Sequence, residues 1–367
     1  MKNKYGHHIL MCMYARTVGG AELEFIELAN HLAKSHNIRL LCMGGDGALS
    51  GVALDSRIDL KIYSYLSRIE ALAGVAKAWK ENRSFIASVH VSTSFVGNLL
   101  GLLLAAGKKS VRLVSLQTVS AQMRRSFMNR RVLDKFDVLI AGANDIRDFL
   151  VNHGQSEDRI RVVHNWVDFT KRVAVASREE VCKHIGISPD RLIIGCVARL
   201  HPQKGHHYLI RAFPSVLNMV PDALLLIVGD GSERSKLEDE ARSLGIEQNV
   251  CFAGTVLGQM YNDVLNAIDI YVQPSVFEGL PRTLLDAMYM RKPIVATSCN
   301  GNREAIEHEM NGLLVPSKDH EKLAEAVCRL IMEPALRLRY SDAARTSVVA
   351  SFNMNSQLER IESLLSG

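Results

Sequence analysis

Short apolar runs alternate with helix-length segments along almost the whole chain, and this alternation limits the fold more than any other feature. In the first half, strand-like runs lie at 8–14, 38–43, 58–63, 85–89, 111–116, 138–141 and 160–163. Helical patterns lie at 21–35, 69–80, 96–106, 121–135 and 144–151, and Asn144 is the predicted cap of the last. Such alternation through short loops predicts an α/β fold with a doubly wound parallel sheet.

The alternation begins again after residue 190, once a polar, mixed-charge stretch has interrupted it. Two Rossmann-like domains are therefore predicted, with a cleft between the carboxyl ends of their strands as the expected ligand site. The predicted boundaries are 1–168 for an N-terminal acceptor-binding domain, 169–190 for a linker, 191–345 for a C-terminal nucleotide-sugar-binding domain, and 346–367 for a helical tail able to cross back to the first domain.

Composition agrees with two soluble domains. Of the 367 residues, 47% are hydrophobic and 23% are charged. The seven cysteines form no CxxC pair, which favours buried free thiols over disulfides or zinc. The N-terminal apolar run has the length of a strand, and the longest apolar stretch, 95–106, is too short to span a membrane. We therefore expect a cytoplasmic protein.

Charge is divided unevenly along the chain. Residues 1–170 hold 22 of the 44 basic side chains but 15 of the 39 acidic ones, so they carry +7 and the remainder carries −2. An anionic partner of the first half is expected, and charge alone leaves nucleic acid, a membrane surface and a phosphorylated acceptor open.

Residues 123–136 contain five basic residues and one acidic residue, with apolar side chains able to share one helical face. A basic amphipathic helix can lie on the anionic inner face of a membrane, and a helix of a Rossmann domain can equally direct its apolar face into the core. Both interpretations stay open. Few stacking aromatics lie among the basic residues, which disfavours nucleic-acid binding.

The strongest functional signal is the segment 274–287, PSVFEGLPRTLLDA, which follows a strand-like run and opens a helix. Gly279 permits a sharp turn, and Pro281 suits the first helical position. The amides of residues 283–285 are then expected to be unpaired and to face an anion at the helix N-terminus. The segment therefore predicts a phosphate site.

Charged side chains surround this predicted phosphate site. Glu278 and Asp286 flank it, and carboxylates in such a position can hold the hydroxyls of a ribose or another sugar. Arg199 and Lys204 follow the first strand of the second domain, and two fixed cations suit a diphosphate leaving group. Taken alone, the loop that carries them fits ordinary surface charges as well.

Two glycine turns have the same strand-to-helix placement. Gly19 and Gly20 precede the first helix, and a VGDGS turn lies at 228–232. Adjacent glycines let a backbone approach a pyrophosphate. Neither turn is GxGxxG and no acidic residue directly follows the second strand, which disfavours a dinucleotide site.

Together these motifs resemble the retaining glycosyltransferases of family 4, which have the GT-B architecture of two Rossmann-like domains. The matching residues are, in chain order, Gly19, Gly20 and Glu22; 165–168; Arg199, Leu200, Lys204 and Gly205; 228–231; Pro274, Ser275, Glu278, Gly279 and Asp286; Gly301 and Glu304; and 311–315. The match covers nearly the whole chain. Any one motif is weak, but seven in this order are highly specific.

The resemblance implies a role for each motif residue. Glu278 would bind hydroxyls of the transferred sugar, and Asp286 would bind the ribose of a nucleoside-diphosphate sugar, expected to be a UDP-sugar. The implied catalytic residues are Glu278, Arg199, Lys204 and His90, and the implied donor-binding residues are Gly19, Gly20, Arg199, Lys204, Gly279, Leu280, Pro281 and Asp286. No metal or other cofactor would be required, because two cations and a helix N-terminus replace it.

The resemblance also implies a mechanism, and the chain departs from the family pattern at three places. The leaving phosphate would depart from the face that the acceptor attacks, and would take the acceptor's proton. Asp286 stands where the family usually has Glu, and Trp166 where it has Gly. His90 or Thr93 can occupy the position of the family's first-domain histidine.

The expected function is sugar transfer to a saccharide or lipid-linked acceptor, in the synthesis of cell-surface polysaccharide, lipopolysaccharide or glycolipid. A GT-B-type sugar-nucleotide 2-epimerase is an alternative, although acids and histidines for proton transfer at C2 are not evident. An inactive sugar-nucleotide-binding module is a second alternative, which the departures from the family pattern at Asp286 and Trp166 would indicate. The base, sugar, acceptor and linkage depend on loops around residues 93, 117–122 and 299–303.

Overall fold

The computed structural model describes residues 6–15, 20–44, 49, 52–64, 68–82, 89–92, 95–106, 111–117 and 127–366. The chain divides into two compact units. The first comprises Met1–Asn165 together with Asn355–Gly367, and the second comprises Trp166–Met354.

The first unit is an α/β domain with a parallel sheet. Its strands are β1 (His8–Ala15), β2 (Asn37–Gly44), β3 (Asp59–Ser64), β4 (Val89–Ser92), β5 (Arg112–Gln117), β6 (Val138–Ala141) and β7 (Ile160–Val162). Its helices are α1 (Gly20–Leu32), α2 (Arg68–Asn82), α3 (Phe95–Ala105), α4 (Phe127–Leu133) and α5 (Asn144–Asn152). In the described residues the strand order is β3-β2-β1-β4-β5-β6-β7.

The second unit repeats this architecture. Its strands are β8 (Ile193–Val197), β9 (Leu224–Val228), β10 (Val250–Gly254), β11 (Ile270–Gln273), β12 (Ile294–Thr297) and β13 (Leu313–Val315), in the order β10-β9-β8-β11-β12-β13. Its helices are α6 (Arg178–Ile185), α7 (His206–Met219), α8 (Arg234–Ser243), α9 (Gln259–Ala267), α10 (Arg282–Tyr289), α11 (Asn300–Ala305), α12 (His320–Met332) and α13 (Pro334–Ser351). A last helix, α14 (Met354–Ser366), lies almost wholly in the first unit. The predicted α/β class with two Rossmann-like domains is confirmed.

The central strands show why the sequence signal was so clear. Every residue of β8 is buried, as is every residue of β9 and β11. Helices cover both faces of a parallel sheet, so its strands are apolar throughout and do not alternate with polar residues. The core of the second unit consequently lies on both sides of its sheet.

Both sheets reverse their order at one point, and this point places the functional loops. In the second unit β8 pairs with β9 on one side and with β11 on the other, with Ile194 in register with Ile270. Such a reversal leaves a crevice beyond the carboxyl ends of the two central strands. The Arg199 loop follows β8 and the Glu278 loop follows β11, so the fold brings these motifs together.

Three local predictions need correction or completion. The fourth strand is described as Val89–Ser92, so it continues three residues beyond the predicted end at 89, and the predicted part 85–88 lies outside the described residues. Ala143, not Asn144, is the N-cap of α5, and Asn144 is its first helical residue. Of the helix predicted over 121–135, the part before Phe127 lies outside the described residues, and the described part ends at Leu133.

The segment predicted as a linker, 169–190, carries structure of its own. It contains a 3-10 turn (Phe169–Lys171) and α6, and it belongs to the second unit. Ser177 begins α6 with a capping box, in which its side chain accepts from the Glu180 amide and Glu180 accepts from the Ser177 amide. No helix among the described residues is long and apolar enough to cross a membrane.

Candidate functional site

Lys204 and Glu278 form the centre of the site. The Lys204 Nζ lies 2.6 Å from Glu278 Oε1 and 2.7 Å from Oε2. The side chain of Lys204 is 20% exposed and that of Glu278 is 5% exposed, so the ion pair lies at the edge of the core. Bringing such a pair out of water requires close geometry and further hydrogen bonds, and both are present here.

The two oxygens of Glu278 are used differently. Oε1 accepts hydrogen bonds from Gln273 Nε2 at 3.0 Å and from Ser275 Oγ at 2.6 Å, in addition to Lys204. Among the described residues Oε2 accepts only from Lys204. Its remaining lone pair is therefore the part of the carboxylate that is available to a sugar hydroxyl.

Arg199 supplies a second cation near the same strand ends. It is exposed, and within the described part of the chain it has no ion-pair partner. Its loop is held by the neighbouring glycine turn, because the Leu200 amide donates to the Asp230 carbonyl at 2.9 Å. Gly229 has φ +132°, and a Cβ there would lie 2.1 Å from the Ala198 carbonyl oxygen. The turn thus needs glycine to approach the Arg199 loop.

The start of α10 differs in detail from the sequence prediction. Pro281 is the N-cap rather than the first helical residue. The amides of Leu284 and Leu285, predicted to be unpaired, both donate to the Pro281 carbonyl. The Thr283 amide has no acceptor within the part of the chain that the structure describes, so the expected anion-facing donor is retained there.

The turn before α10 depends on a glycine other than the predicted one. Gly279 is not among the glycines with positive φ. Instead, a Cβ on Gly301 would lie 1.2 Å from the Gly279 carbonyl oxygen, and the Gly301 amide donates to the Glu278 carbonyl at 3.3 Å. The backbone of Gly301 therefore contacts the turn at Glu278 and Gly279 directly, and only glycine at position 301 leaves room for this contact.

Asp286 is occupied by partners that the sequence did not reveal. Its Oδ1 accepts from Arg172 Nε at 2.6 Å and its Oδ2 from Tyr261 Oη at 2.7 Å, and its side chain is 3% exposed. Burial and the Asp286 charge raise the pKa of Tyr261 well above its usual value, so the phenol keeps its proton and donates. Burial opposes the charge on Arg172, but Asp286 outweighs it and raises the pKa of Arg172.

His206 is a further residue that sequence reasoning missed. It begins α7, two residues after Lys204, is 2% exposed, and neither ring nitrogen has a hydrogen-bond partner among the described residues. Burial first, and then Lys204, lower its pKa from 6.5 to about 4. The ring is therefore neutral at pH 7, and no charge competes with Lys204 beside it.

The predicted site residues of the first unit are described only in part. Gly19 and Thr93 lie outside the described residues, and Gly20 is the first residue of α1. His90 lies inside β4, in register with Leu10 and Leu113, whereas the prediction placed it in the loop after the strand.

The basic segment 123–136 is described from Phe127 onward, and the burial of some of its apolar side chains is known. Leu133 and Phe136 are buried in the cluster that α5 joins. Arg130, Arg131 and Lys135 are exposed. Val132, Leu133 and Phe136 thus pack into the domain core, and Arg130, Arg131 and Lys135 face solvent.

No group of three or more histidine, cysteine, aspartate or glutamate side chains arranged for a metal ion occurs among the described residues. The cations Arg199 and Lys204 are the charged groups that the structure offers to an anionic ligand at this site.

Comparison with known proteins decides the family. The family model described as "Glycosyl transferases group 1" matches residues 177–347, and the model described as "Glycosyltransferase Family 4" matches residues 18–171. The chain belongs to the group 1/family 4 glycosyltransferases, which these two models describe. The resemblance read from its motifs is thereby confirmed.

Individual relatives of this glycosyltransferase share about a third of its residues or fewer over the matched segments. The UDP-Gal:alpha-D-GlcNAc-diphosphoundecaprenol alpha-1,3-galactosyltransferase of Escherichia coli is 27% identical over 213 residues, covering 56% of this chain and 54% of that protein. A GDP-mannose-dependent monoacylated alpha-(1-6)-phosphatidylinositol monomannoside mannosyltransferase of Corynebacterium glutamicum is 33% identical over 190 residues, covering 50% and 49%. The matched segments span about half the length of these curated relatives.

Among solved structures, Anabaena HepE in complex with UDP superposes with a TM-score of 0.85 at 22% identity, covering 98% of this chain and 99% of that chain. A likeness at this identity shows the fold. The predicted GT-B fold is confirmed.

Proposed function

We propose that this glycosyltransferase is a retaining, metal-independent enzyme that transfers a sugar from a nucleoside-diphosphate sugar to a saccharide or lipid-linked acceptor. The observation that carries the proposal is the Lys204–Glu278 pair beyond the ends of β8 and β11, with Arg199 exposed in the same loop as Lys204. A carboxylate with one free lone pair suits a sugar hydroxyl, and two cations suit a diphosphate.

The residues present can stabilise the leaving group. Lys204 uses two N–H groups on Glu278 and keeps a third, and the Thr283 amide points from the start of α10. As the bond from the sugar C1 to the diphosphate oxygen breaks, negative charge grows on the diphosphate. Lys204, Arg199 and this amide would neutralise it, which is the function of a metal ion in other transferases.

The stereochemical proposal follows from the family. The acceptor oxygen would form its bond to C1 on the face from which the diphosphate departs, and the departing phosphate oxygen would take the acceptor's proton. This sequence needs no protein nucleophile. Glu278 would orient the sugar through hydroxyls and not attack C1.

The relatives support the donor and acceptor classes. The names of the two curated relatives specify UDP-Gal and GDP-mannose as donors, and a diphosphoundecaprenol and a phosphatidylinositol mannoside as acceptors. We expect a UDP-sugar as donor and a lipid-linked saccharide as acceptor in the synthesis of a cell-surface glycan. The exposed Arg130 and Arg131 would face the anionic inner surface of a membrane, and sedimentation with anionic but not neutral vesicles would test this.

A thermal-shift series with UDP, GDP, ADP and their sugar conjugates, with and without EDTA, tests the donor site. A ligand at a hundred times its Kd stabilises the folded state by about 2.7 kcal/mol. We expect one nucleotide to raise Tm, equally in EDTA, and Lys204→Ala to abolish the rise. Arg242→Ala, an exposed arginine of α8, is the matched control. No shift with any nucleotide would contradict the proposal, and a shift lost in EDTA would contradict metal independence.

A further inference from the structure

Asp286 connects the donor side of the second unit to the segment by which the chain enters that unit. The chain enters this unit through residues 166–176, the entry segment. Arg172 of the entry segment donates to Asp286 of α10, 114 residues later in sequence. Tyr261 of α9 donates to the other oxygen, and the Arg172 guanidinium lies 5.6 Å from the centre of the Tyr261 ring. One carboxylate thus joins three segments.

Neighbouring contacts fix the rest of the entry segment. Asn262 of α9 donates to the Lys171 carbonyl at 2.7 Å. Asp263 accepts from the Val175 amide at 2.6 Å and from the Ala176 amide at 3.2 Å. The entry segment is consequently bound to α9 along its length from Lys171 to Ala176.

The far end of α10 is held by aromatic contacts. Phe169 stacks on Tyr289, with ring centres 4.4 Å apart and planes 12° apart. The Arg345 guanidinium lies 4.2 Å from the Tyr289 ring centre, and Arg345 donates to the Tyr289 carbonyl at 2.7 Å. The entry segment therefore contacts α10 at both Asp286 and Tyr289.

The family resemblance implies that Asp286 binds the ribose of the donor, but its contacts in the structure indicate a different role. Both carboxylate oxygens already accept a charge-assisted or phenolic hydrogen bond, and the side chain is 3% exposed. The lone pairs that remain on these oxygens belong to a side chain that is almost completely buried beside Arg172 and Tyr261.

We propose that Asp286 is a positioning residue, which holds α10 against the entry segment through Arg172 and Tyr261 and so places the start of α10 for the donor phosphate. Asp286 lies one turn after Thr283, the residue whose amide faces the expected anion. A tilt of this two-turn helix would move that amide, and a misplacement of about 1 Å can cost on the order of a hundredfold in rate. The inference rests on the proposed function for its catalytic consequence only.

The experiment compares Asp286→Asn, Arg172→Lys, Arg172→Gln and Tyr261→Phe in the full chain, with Asp342→Asn as control. Asp342 forms a surface pair with Arg291, in which both side chains are more than half exposed. Each variant is assayed for KM and kcat with the nucleoside-diphosphate sugar identified by the thermal-shift series and with its 2′,3′-dideoxyribose analogue. Hydrogen exchange of residues 167–176 is measured without nucleotide.

A positioning role predicts that Asp286→Asn and Arg172→Gln raise KM by about tenfold or more, by the same factor for both donors. Arg172→Lys should recover part of the loss, Tyr261→Phe should lose less, and Asp342→Asn should match the wild type. Exchange at 167–176 should rise in Asp286→Asn and Arg172→Gln. Should Asp286→Asn fail to fold, Arg172→Lys and Tyr261→Phe carry the test, since both keep the carboxylate.

A KM effect of Asp286→Asn that disappears with the dideoxyribose donor would show a ribose contact and overturn the proposal. Unchanged exchange at 167–176 in Arg172→Gln would overturn it as well. If the wild type bound no nucleoside diphosphate, the proposed function would fail, but the exchange measurement would still decide whether Asp286 holds the entry segment.

Discussion

At the scale of single residues, the charge of each group in the site depends on the groups around it. Lys204 and Glu278 form an ion pair at the edge of the core, and Gln273 and Ser275 donate further hydrogen bonds to the carboxylate. His206, two residues after Lys204, stays neutral, since burial penalises its charge and no acceptor is near. The uncharged His206 therefore leaves Lys204 and Arg199 as the cations described near these strand ends.

His206 makes stability depend on pH. Its pKa is about 4 in the folded chain against 6.5 unfolded, so the unfolded state binds a proton first as pH falls. The associated stability is fully present above pH 6.5 and is lost as pH falls from 6.5 to about 4, by up to about 3 kcal/mol.

Urea unfolding at a series of pH values from 7 to 4 measures this effect. We expect His206→Leu to have a smaller loss of unfolding free energy over that range than the wild type. His184→Gln, an exposed histidine of α6, should keep the wild-type slope. Equal slopes in His206→Leu and the wild type would show that His206 does not control this window.

At the scale of elements, the start of each helix near the site is set by a different device. The N-cap of α10 is Pro281, whose carbonyl accepts from two following amides, and the N-cap of α7 is Gly205, whose φ is +69°. α6 begins with the capping box of Ser177 and Glu180. These devices explain why the boundaries differ by a residue or two from a prediction based on apolar spacing.

The capping box predicts the stability of α6. Ser177→Ala removes the acceptor of the Glu180 amide and should lower the unfolding free energy by about 1 kcal/mol. Ser235→Ala, an exposed position inside α8, should change it by a few tenths of a kcal/mol at most. Denaturant titration of both variants measures the difference, and equal values would show that the box contributes nothing.

At the scale of the whole molecule, the chain returns to its first unit after completing the second. Within the first unit, Glu362 of α14 lies 3.0 Å from His31 Nε2 and 2.9 Å from His36 Nε2, and it accepts from Ser35 Oγ at 2.7 Å. His36 in turn accepts from the His7 amide. One carboxylate therefore attaches the C-terminal helix to the residues before β2, and through His36 to the start of β1.

Removing this carboxylate should loosen the C-terminal helix. In Glu362→Ala we expect faster hydrogen exchange at residues 355–366, because His31 and Ser35 lose their shared hydrogen-bond acceptor and His36 loses a carboxylate 2.9 Å away. Glu359→Ala, an exposed glutamate one turn earlier, is the matched control. Identical exchange in the two variants would show that packing alone holds α14.

The local pattern of the chain was enough to predict much of the fold. The apolar runs that become β8, β9 and β11 are buried on both faces, so each strand was readable without knowing its neighbours. Motif residues such as Lys204 and Glu278 could be predicted because each follows a strand, and parallel strands bring their carboxyl ends to one edge.

The sequence alone determined the α/β class, the two domains and the motif residues, because these depend on periodicity and on residues close together in the chain. Only the tertiary structure decided the partners of those residues. Arg172 reaches Asp286 across 114 positions and Tyr261 reaches it across 25, and Gly301 of α11 contacts the turn at Gly279. Such pairings follow from the packing of whole elements, in which a buried polar group must find a partner wherever the fold supplies one.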